Sequence, residues 1–162
     1  MRMRHWCAAI AILAGAGTAA IAQSDLKPSP NIKQYTPRLV AIMSAAQTQH
    51  LKLWFAGKAK NWELAAYELR QLTDSLAEAA VLYPGIPVSN ITTMQEPLLS
   101  IADAVMAGDS AVFAAGMRKL TSDCNACHTS MERGYIVMTL PTDQSLPPAN
   151  QAFTPPAASR KK

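Results

Sequence analysis

The feature that most constrains this chain is the run Cys124-Asn125-Ala126-Cys127-His128. On an α-helix, residues three and four positions apart project from one face, so both thiols and the imidazole would point the same way. Cys-x-x-Cys-His is the pattern that attaches haem c: each thiol bonds a vinyl group, and the histidine reaches the iron from the same side. We therefore expect one covalent haem c, with Cys124 and Cys127 as thioethers and His128 as proximal iron ligand.

Three other uses of this pattern fit the surrounding chain less well. A structural zinc site needs about four protein ligands. Beyond residue 22 the chain has two cysteines and two histidines, and His50 is far from the motif in sequence. A thioredoxin-like pair expects a βαβ context, and no strand pattern flanks the motif. A disulfide between residues three apart would strain the helix that the neighbouring residues favour.

The first 22 residues have the pattern of a secretory signal peptide. Arg2 and Arg4 form the charged start, an apolar stretch follows, and Ala20-Ile21-Ala22 is a small-x-small cleavage site before Gln23. The apolar stretch is short for a membrane span, so we expect no stable membrane anchor. Export to the periplasm agrees with haem c attachment, which takes place outside the cytoplasm.

Cleavage would leave 140 of the 162 residues, enough for one domain with a hydrophobic core. Without Arg2 and Arg4 the 15 basic residues become 13, against 11 acidic ones. No basic stripe with interleaved aromatic residues appears, which argues against nucleic acid as a partner. We expect an N-terminal arm at 23–35, a haem-binding helical domain at 36–134 and a Pro-rich extended tail at 135–162.

Apolar residues recur at helical spacing in four segments, and no strand pattern is evident. We expect the first helix to begin with Thr36 as cap and Pro37 at its first position, and to end near Gly57. Asn61 is predicted to cap the second helix, which ends before Pro84-Gly85.

A shorter third helix is predicted to begin at the capping box of residues 93–96 and to end at Gly108. Asp109 is expected to cap the fourth helix, which carries the haem motif and ends at Gly134. Short connections between four helices predict an all-α fold, an antiparallel four-helix bundle. In the tail, Ile136, Val137 and Phe153 are expected to pack back on this bundle or on the haem edge.

Four helices with Cys-x-x-Cys-His near the end of the last one resemble the class II c-type cytochromes, the cytochrome c′ superfamily. The resemblance covers about residues 37–133. Three further stretches look like a little-characterised periplasmic branch of that group: His50-x-Lys52-Leu53-Trp54-Phe55-Ala56-Gly57, Asn61-Trp62 and Asn150-Gln151-Ala152-Phe153. The resemblance implies that the residue opposite the proximal histidine decides the function, and that two copies often dimerise through the first two helices.

In this superfamily, electron carriers place a methionine of the first helix on the iron, whereas gas-binding members place an apolar side chain there. Met43 lies seven residues after Thr36 and His128 six before Gly134, which puts them at nearly the same height in an antiparallel arrangement. His50 lies about 10 Å deeper and is the alternative ligand. Met43 as an ordinary core residue is the other alternative.

The sequence therefore predicts a periplasmic one-electron carrier, not an enzyme, whose redox partner proteins meet the haem edge through a small interface. A gas-binding protein with an open sixth iron position, accessible to NO or CO, is the alternative. A peroxidase-like enzyme would need a distal acid–base residue, and only His50 is available for that role.

Overall fold

The computed structural model describes residues 35–142 together with 151, 153 and 154. The chain divides into two compact units, Met1–Tyr35 and Thr36–Lys162, and the second contains the helices described below. The predicted signal peptide, residues 23–34 of the predicted arm, and most of the tail after 142 lie outside the described residues.

Four α-helices account for most of the described chain: α1 (Leu39–Lys58), α2 (Trp62–Leu82), α3 (Val88–Ala107) and α4 (Ser110–Ser130). Residues 35–142 contain no strand, so the predicted all-α, four-helix fold is confirmed. Each helix packs against the next one in the chain, and α1 also contacts α4, over a smaller area. None of the described helices is long and apolar enough to cross a membrane.

Three helix boundaries agree with the side-chain chemistry that predicted them. The Asn61 side chain accepts a hydrogen bond from the Leu64 N–H at 3.2 Å and so caps α2. Asp109 Oδ1 accepts from two backbone N–H groups in the first turn of α4, at 2.9 and 3.0 Å. Gly108 ends α3 with a φ of 69°, a left-handed conformation that costs glycine little because it has no Cβ.

The predicted beginning of α1 is wrong. Arg38 is the N-cap residue, in an extended conformation and without a side-chain cap bond, so Thr36 is no cap and Pro37 precedes the helix. The Tyr83 hydroxyl donates to the Pro37 carbonyl at 2.6 Å, which ties this stretch to the end of α2. The other end agrees with the prediction, since α1 ends at Lys58, one residue after Gly57.

The predicted beginning of α3 and end of α4 are also wrong. Helix α3 begins five residues before Thr93, whose hydroxyl donates to the Ser89 carbonyl at 2.8 Å instead of capping. Because Ile91 and Met94 pack against the core, burial extends the helix beyond the local capping signal. Helix α4 ends at Ser130, and the left-handed φ of 59° at Glu132 prevents it from continuing to Gly134.

The core is formed by apolar side chains from all four helices. At one end, the Phe113 ring stacks on Trp54 with centroids 6.3 Å apart and meets Trp62 edge-on at 5.9 Å. In the tail, Phe153 is buried against Phe55, with ring centroids 5.7 Å apart. Ile136 and Val137 are exposed, so of the three tail residues expected to pack back only Phe153 is buried.

Helices α1 and α4 touch closely at Gly57. A Cβ atom at this position would overlap the side chain of Phe113, and the backbone of α1 therefore lies directly on that ring. The glycine thus has a packing role, because any larger residue would separate the two helices or displace the ring from Trp54 and Trp62.

We expect Gly57→Ala to destabilise the protein by about 1–3 kcal/mol, because overpacking outweighs the gain in helix propensity. Denaturant unfolding of the purified full chain measures this change. Gly85→Ala is the matched control, since a Cβ there meets nothing within 4 Å. Equal unfolding midpoints for the two variants would contradict the close contact at Phe113.

Candidate haem-attachment site

A cavity of about 540 Å³ is lined by residues of all four helices and of the segment that follows α4. This volume lies in the range of small-molecule and cofactor sites. Much of the wall is apolar, including Leu39, Leu72, Leu76, Ile86, Ile91 and Met94. All five residues singled out from the sequence line this one cavity: Met43, His50, Cys124, Cys127 and His128. A second, more polar groove of about 400 Å³ on α1 and α2 contains none of them.

Cys124 and Cys127 are half-buried free thiols in the last two turns of α4. Burial raises the pKa of Cys124 to about 12 and also raises the pKa of Cys127. Redox-active Cys-x-x-Cys pairs have lowered pKa values, often at a helix N-terminus, whereas these thiols lie at the C-terminal end, where the helix dipole disfavours thiolate. A thioredoxin-like role therefore fits this position poorly.

A structural zinc site also fits poorly. Within the described residues, no group of three or more His, Cys, Asp or Glu side chains is arranged to hold a metal ion. His50, the histidine that would have to join the motif, makes a hydrogen bond to Thr121 instead. The two cysteines and His128 therefore lack the further ligands that a tetrahedral zinc ion needs.

The backbone after α4 orients the His128 imidazole. Its Nδ1 lies 2.7 Å from the carbonyl oxygen of Ile136. Because a carbonyl only accepts, Nδ1 carries the proton and Nε2 is the nitrogen with a free lone pair. Metal-ligating histidines commonly donate their second N–H to a carbonyl in this way. His128 is thus in a tautomer that leaves Nε2 available to bind a metal ion.

Asn125, between the two cysteines, has a role that sequence reasoning missed. Its Nδ2 donates to the Met138 carbonyl at 2.9 Å, and its Oδ1 accepts from the Met138 N–H at 2.7 Å. The carboxamide therefore binds both backbone groups of a residue 13 positions later in the chain. The only signal of this role in the sequence is that Asn125 is polar, although haem attachment needs no polar side chain between the two cysteines.

Contacts between α1 and α4 show which residues of α4 lie level with Met43. Gly57 meets Phe113, and His50 meets Thr121, so seven residues along α1 match eight residues back along α4. Extending this register by another seven residues of α1 brings Met43 level with residue 129 of α4, next to His128, and Met43 and His128 both line the cavity. Met43 is half-buried there, on a different helix from the motif.

His50 is held away from the level of the motif. It is 2% exposed, and its Nε2 lies 2.9 Å from Thr121 Oγ1. The Thr121 hydroxyl donates to the Met117 carbonyl at 2.7 Å, so its oxygen accepts from the His50 Nε2–H. Burial lowers the pKa of His50 from 6.5 to about 4, which keeps the ring neutral at neutral pH.

Two charged residues that sequence reasoning missed are buried. Asp123, directly before the motif, is 8% exposed, and its Oδ1 accepts from Lys119 Nζ at 2.7 Å. Glu68 is 3% exposed, with Lys52 Nζ 3.8 Å away. Helical spacing could have indicated the Lys119–Asp123 pair, because these residues are four apart on α4, whereas the Lys52–Glu68 pair joins two helices and spacing does not reveal it.

No protein-family model, curated protein or solved structure matches this chain.

The pKa of His50 predicts a pH-dependent loss of stability. Below pH 6.5 the unfolded chain takes up a proton at His50 that the folded chain refuses until about pH 4. The free energy of unfolding therefore falls as the pH decreases through this window and is unaffected by His50 above it. We expect the loss at pH 4.5, relative to pH 7.5, to be on the order of 2–3 kcal/mol from this residue.

Urea unfolding of wild type and His50→Gln at the two pH values isolates this contribution. Glutamine does not titrate, and its amide N–H can still donate to Thr121. The variant should lose less stability on acidification, because all other groups titrate alike in both proteins. Parallel losses in the two proteins would show that His50 is protonated in the folded state.

Proposed function

We propose that this protein is an exported mono-haem c-type cytochrome that carries one electron at a time. The observation that carries the proposal is the placing of Cys124, Cys127 and His128 on one wall of a largely apolar cavity, with His128 Nδ1 bonded to a backbone carbonyl.

The chain's residues fit haem c in their chemistry as well as in their position. Thioether formation would remove two ionisable thiols from a place that disfavours thiolate. His128 would supply the proximal nitrogen, and the apolar walls would exclude water from the iron. Haem in this setting supplies a single iron that alternates between ferric and ferrous states.

The proposal includes an antiparallel four-helix bundle. Its support is the pairing of Gly57 with Phe113 and of His50 with Thr121, since residue numbers rise along α1 as they fall along α4. Short connections between successive helices favour the same arrangement.

Met43 is the sixth iron ligand in this proposal. The α1–α4 register supports it, because His50 lies level with Thr121 and Met43 lies seven residues further along the cavity, close to the level of His128. A methionine–histidine pair of ligands stabilises ferrous iron and raises the reduction potential relative to two histidines. A gas-binding protein with an open sixth iron position is the second candidate. It is favoured by the apolar side chains that line the cavity together with Met43.

A non-enzymatic role agrees with the same geometry. The distal acid–base residue of a peroxidase-like enzyme would have to be His50, whose pKa of about 4 is far from the range in which a general base works at neutral pH. Redox partner proteins in the periplasm would meet the protein at the mouth of the cavity. The periplasmic location is proposed from the signal-peptide pattern of residues 1–22.

Mass spectrometry of the protein from a host competent in haem c assembly should show one haem adduct on a chain starting at Gln23. Cys124→Ala or Cys127→Ala should leave one thioether and a less stable holoprotein. Thr73→Val, on α2, is a control that should retain the full adduct. An unmodified mature wild-type chain would rule out the proposed cofactor.

The sixth ligand is tested by Met43→Leu, with Met94→Leu as a matched control because both methionines line the cavity. Wild type should be low-spin in the ferric state and show the weak sulfur-to-iron charge-transfer absorption. Met43→Leu should abolish this band, lower the reduction potential and admit CO to the ferrous iron, because the thioether is lost while haem attachment is intact. Met94→Leu should do none of these.

Two other outcomes would assign the site differently. Loss of the low-spin state in His50→Gln, with Met43→Leu silent, would identify His50 as the ligand. A high-spin wild type that binds CO readily would replace electron transfer by the gas-binding function.

A further inference from the structure

Two side chains of the haem motif make three hydrogen bonds to the backbone of residues 136–138. His128 Nδ1 donates to the Ile136 carbonyl at 2.7 Å. The Asn125 carboxamide bonds the N–H and the C=O of Met138, at 2.7 and 2.9 Å. The segment 136–138 therefore runs alongside the last two turns of α4 and is attached to them at both ends.

Side-chain burial holds this segment only in part. Ile136 is 45% exposed and Val137 65% exposed, whereas Met138 is half-buried and Leu140 packs against the core. Two backbone hydrogen bonds close the turn before the segment: the Arg133 N–H donates to the His128 carbonyl at 2.7 Å, and the Ile136 N–H donates to the Arg133 carbonyl at 2.8 Å. After the two exposed residues, Asn125 bonds both backbone groups of Met138. The position of the Ile136 carbonyl thus depends on the turn on one side and on the contacts of Met138, including those with Asn125, on the other.

The chemistry of asparagine suits this double contact. A carboxamide offers a donor and an acceptor on one short, rigid group, which matches the N–H and C=O of a single residue. Alanine has neither a donor nor an acceptor, serine carries both on a single oxygen atom, and glutamine is longer by one methylene. The cysteines on either side do not require an asparagine between them, because their role depends only on their being three residues apart.

We propose that Asn125 is a positioning residue for His128. By fixing segment 136–138 it holds the Ile136 carbonyl on Nδ1–H, and this hydrogen bond sets how strongly Nε2 donates to iron. A bond from the second N–H to a carbonyl raises the basicity of a ligating imidazole. A more basic ligand favours the ferric state, so Asn125 lowers the reduction potential through His128. This inference rests on the proposed haem function.

Asn125→Ala tests the proposal in the holoprotein, with Thr129→Val as control. Thr129 lies one turn further along α4, and its hydroxyl donates to the Asn125 carbonyl at 2.9 Å without touching segment 136–138. Asn125→Ala should retain the covalent haem and raise the reduction potential measured by voltammetry. The Met138 amide should exchange with deuterium about fivefold faster, the effect of losing a hydrogen bond worth about 1 kcal/mol. Thr129→Val should match wild type in both measurements.

Amide exchange in wild type provides a test that needs no variant to fold. The Met138 N–H should be protected, because Asn125 Oδ1 accepts from it. Exchange of this amide at the rate of an unstructured peptide would overturn the proposal. So would an Asn125→Ala holoprotein with the potential of wild type, a result that leaves the cytochrome function standing. A wild-type chain without a haem adduct would instead overturn the function itself and this inference with it.

Discussion

The register between α1 and α4 is the constraint on which the site depends. At Gly57 the two helices are so close that the ring of Phe113 occupies the space of a Cβ atom. At His50 a side-chain hydrogen bond to Thr121 joins them, and at Met43 the cavity lies between them. The helices therefore diverge from one end to the other, and the space that opens lies at the level of the Cys-x-x-Cys-His motif.

Helix number and several helix ends could be predicted because local chemistry determines them. Asn61 and Asp109 cap their helices, and Gly108 adopts the left-handed conformation that ends α3. The beginning of α3 could not, because packing of Ile91 and Met94 extends the helix past a capping signal at Thr93. A capping box is worth about 1 kcal/mol, less than burying two large apolar side chains.

The predicted level of Met43 relative to His128 agrees with the structure partly because two errors in the helix boundaries offset each other. The expected beginning of α1 was two residues early and the expected end of α4 four residues late. Because the two helices run in opposite directions, these errors largely offset each other, so Met43 and His128 stay nearly level. The contacts of Asn125 were out of reach, because they depend on where the chain returns after a turn 13 residues away.

The groups around the cavity act in opposite directions on the proposed iron. Burial raises the pKa of Cys124 and lowers the pKa of His50, so the same surroundings disfavour a negative thiolate and a positive imidazolium. Such surroundings would also disfavour the additional positive charge of a ferric haem and so would raise its reduction potential. The Ile136 carbonyl would oppose this effect, since its bond to His128 would strengthen donation from Nε2 to ferric iron. In this view two opposing effects would set the reduction potential: the apolar wall would raise it, and the Ile136 carbonyl would lower it. Asn125 would hold that carbonyl in place.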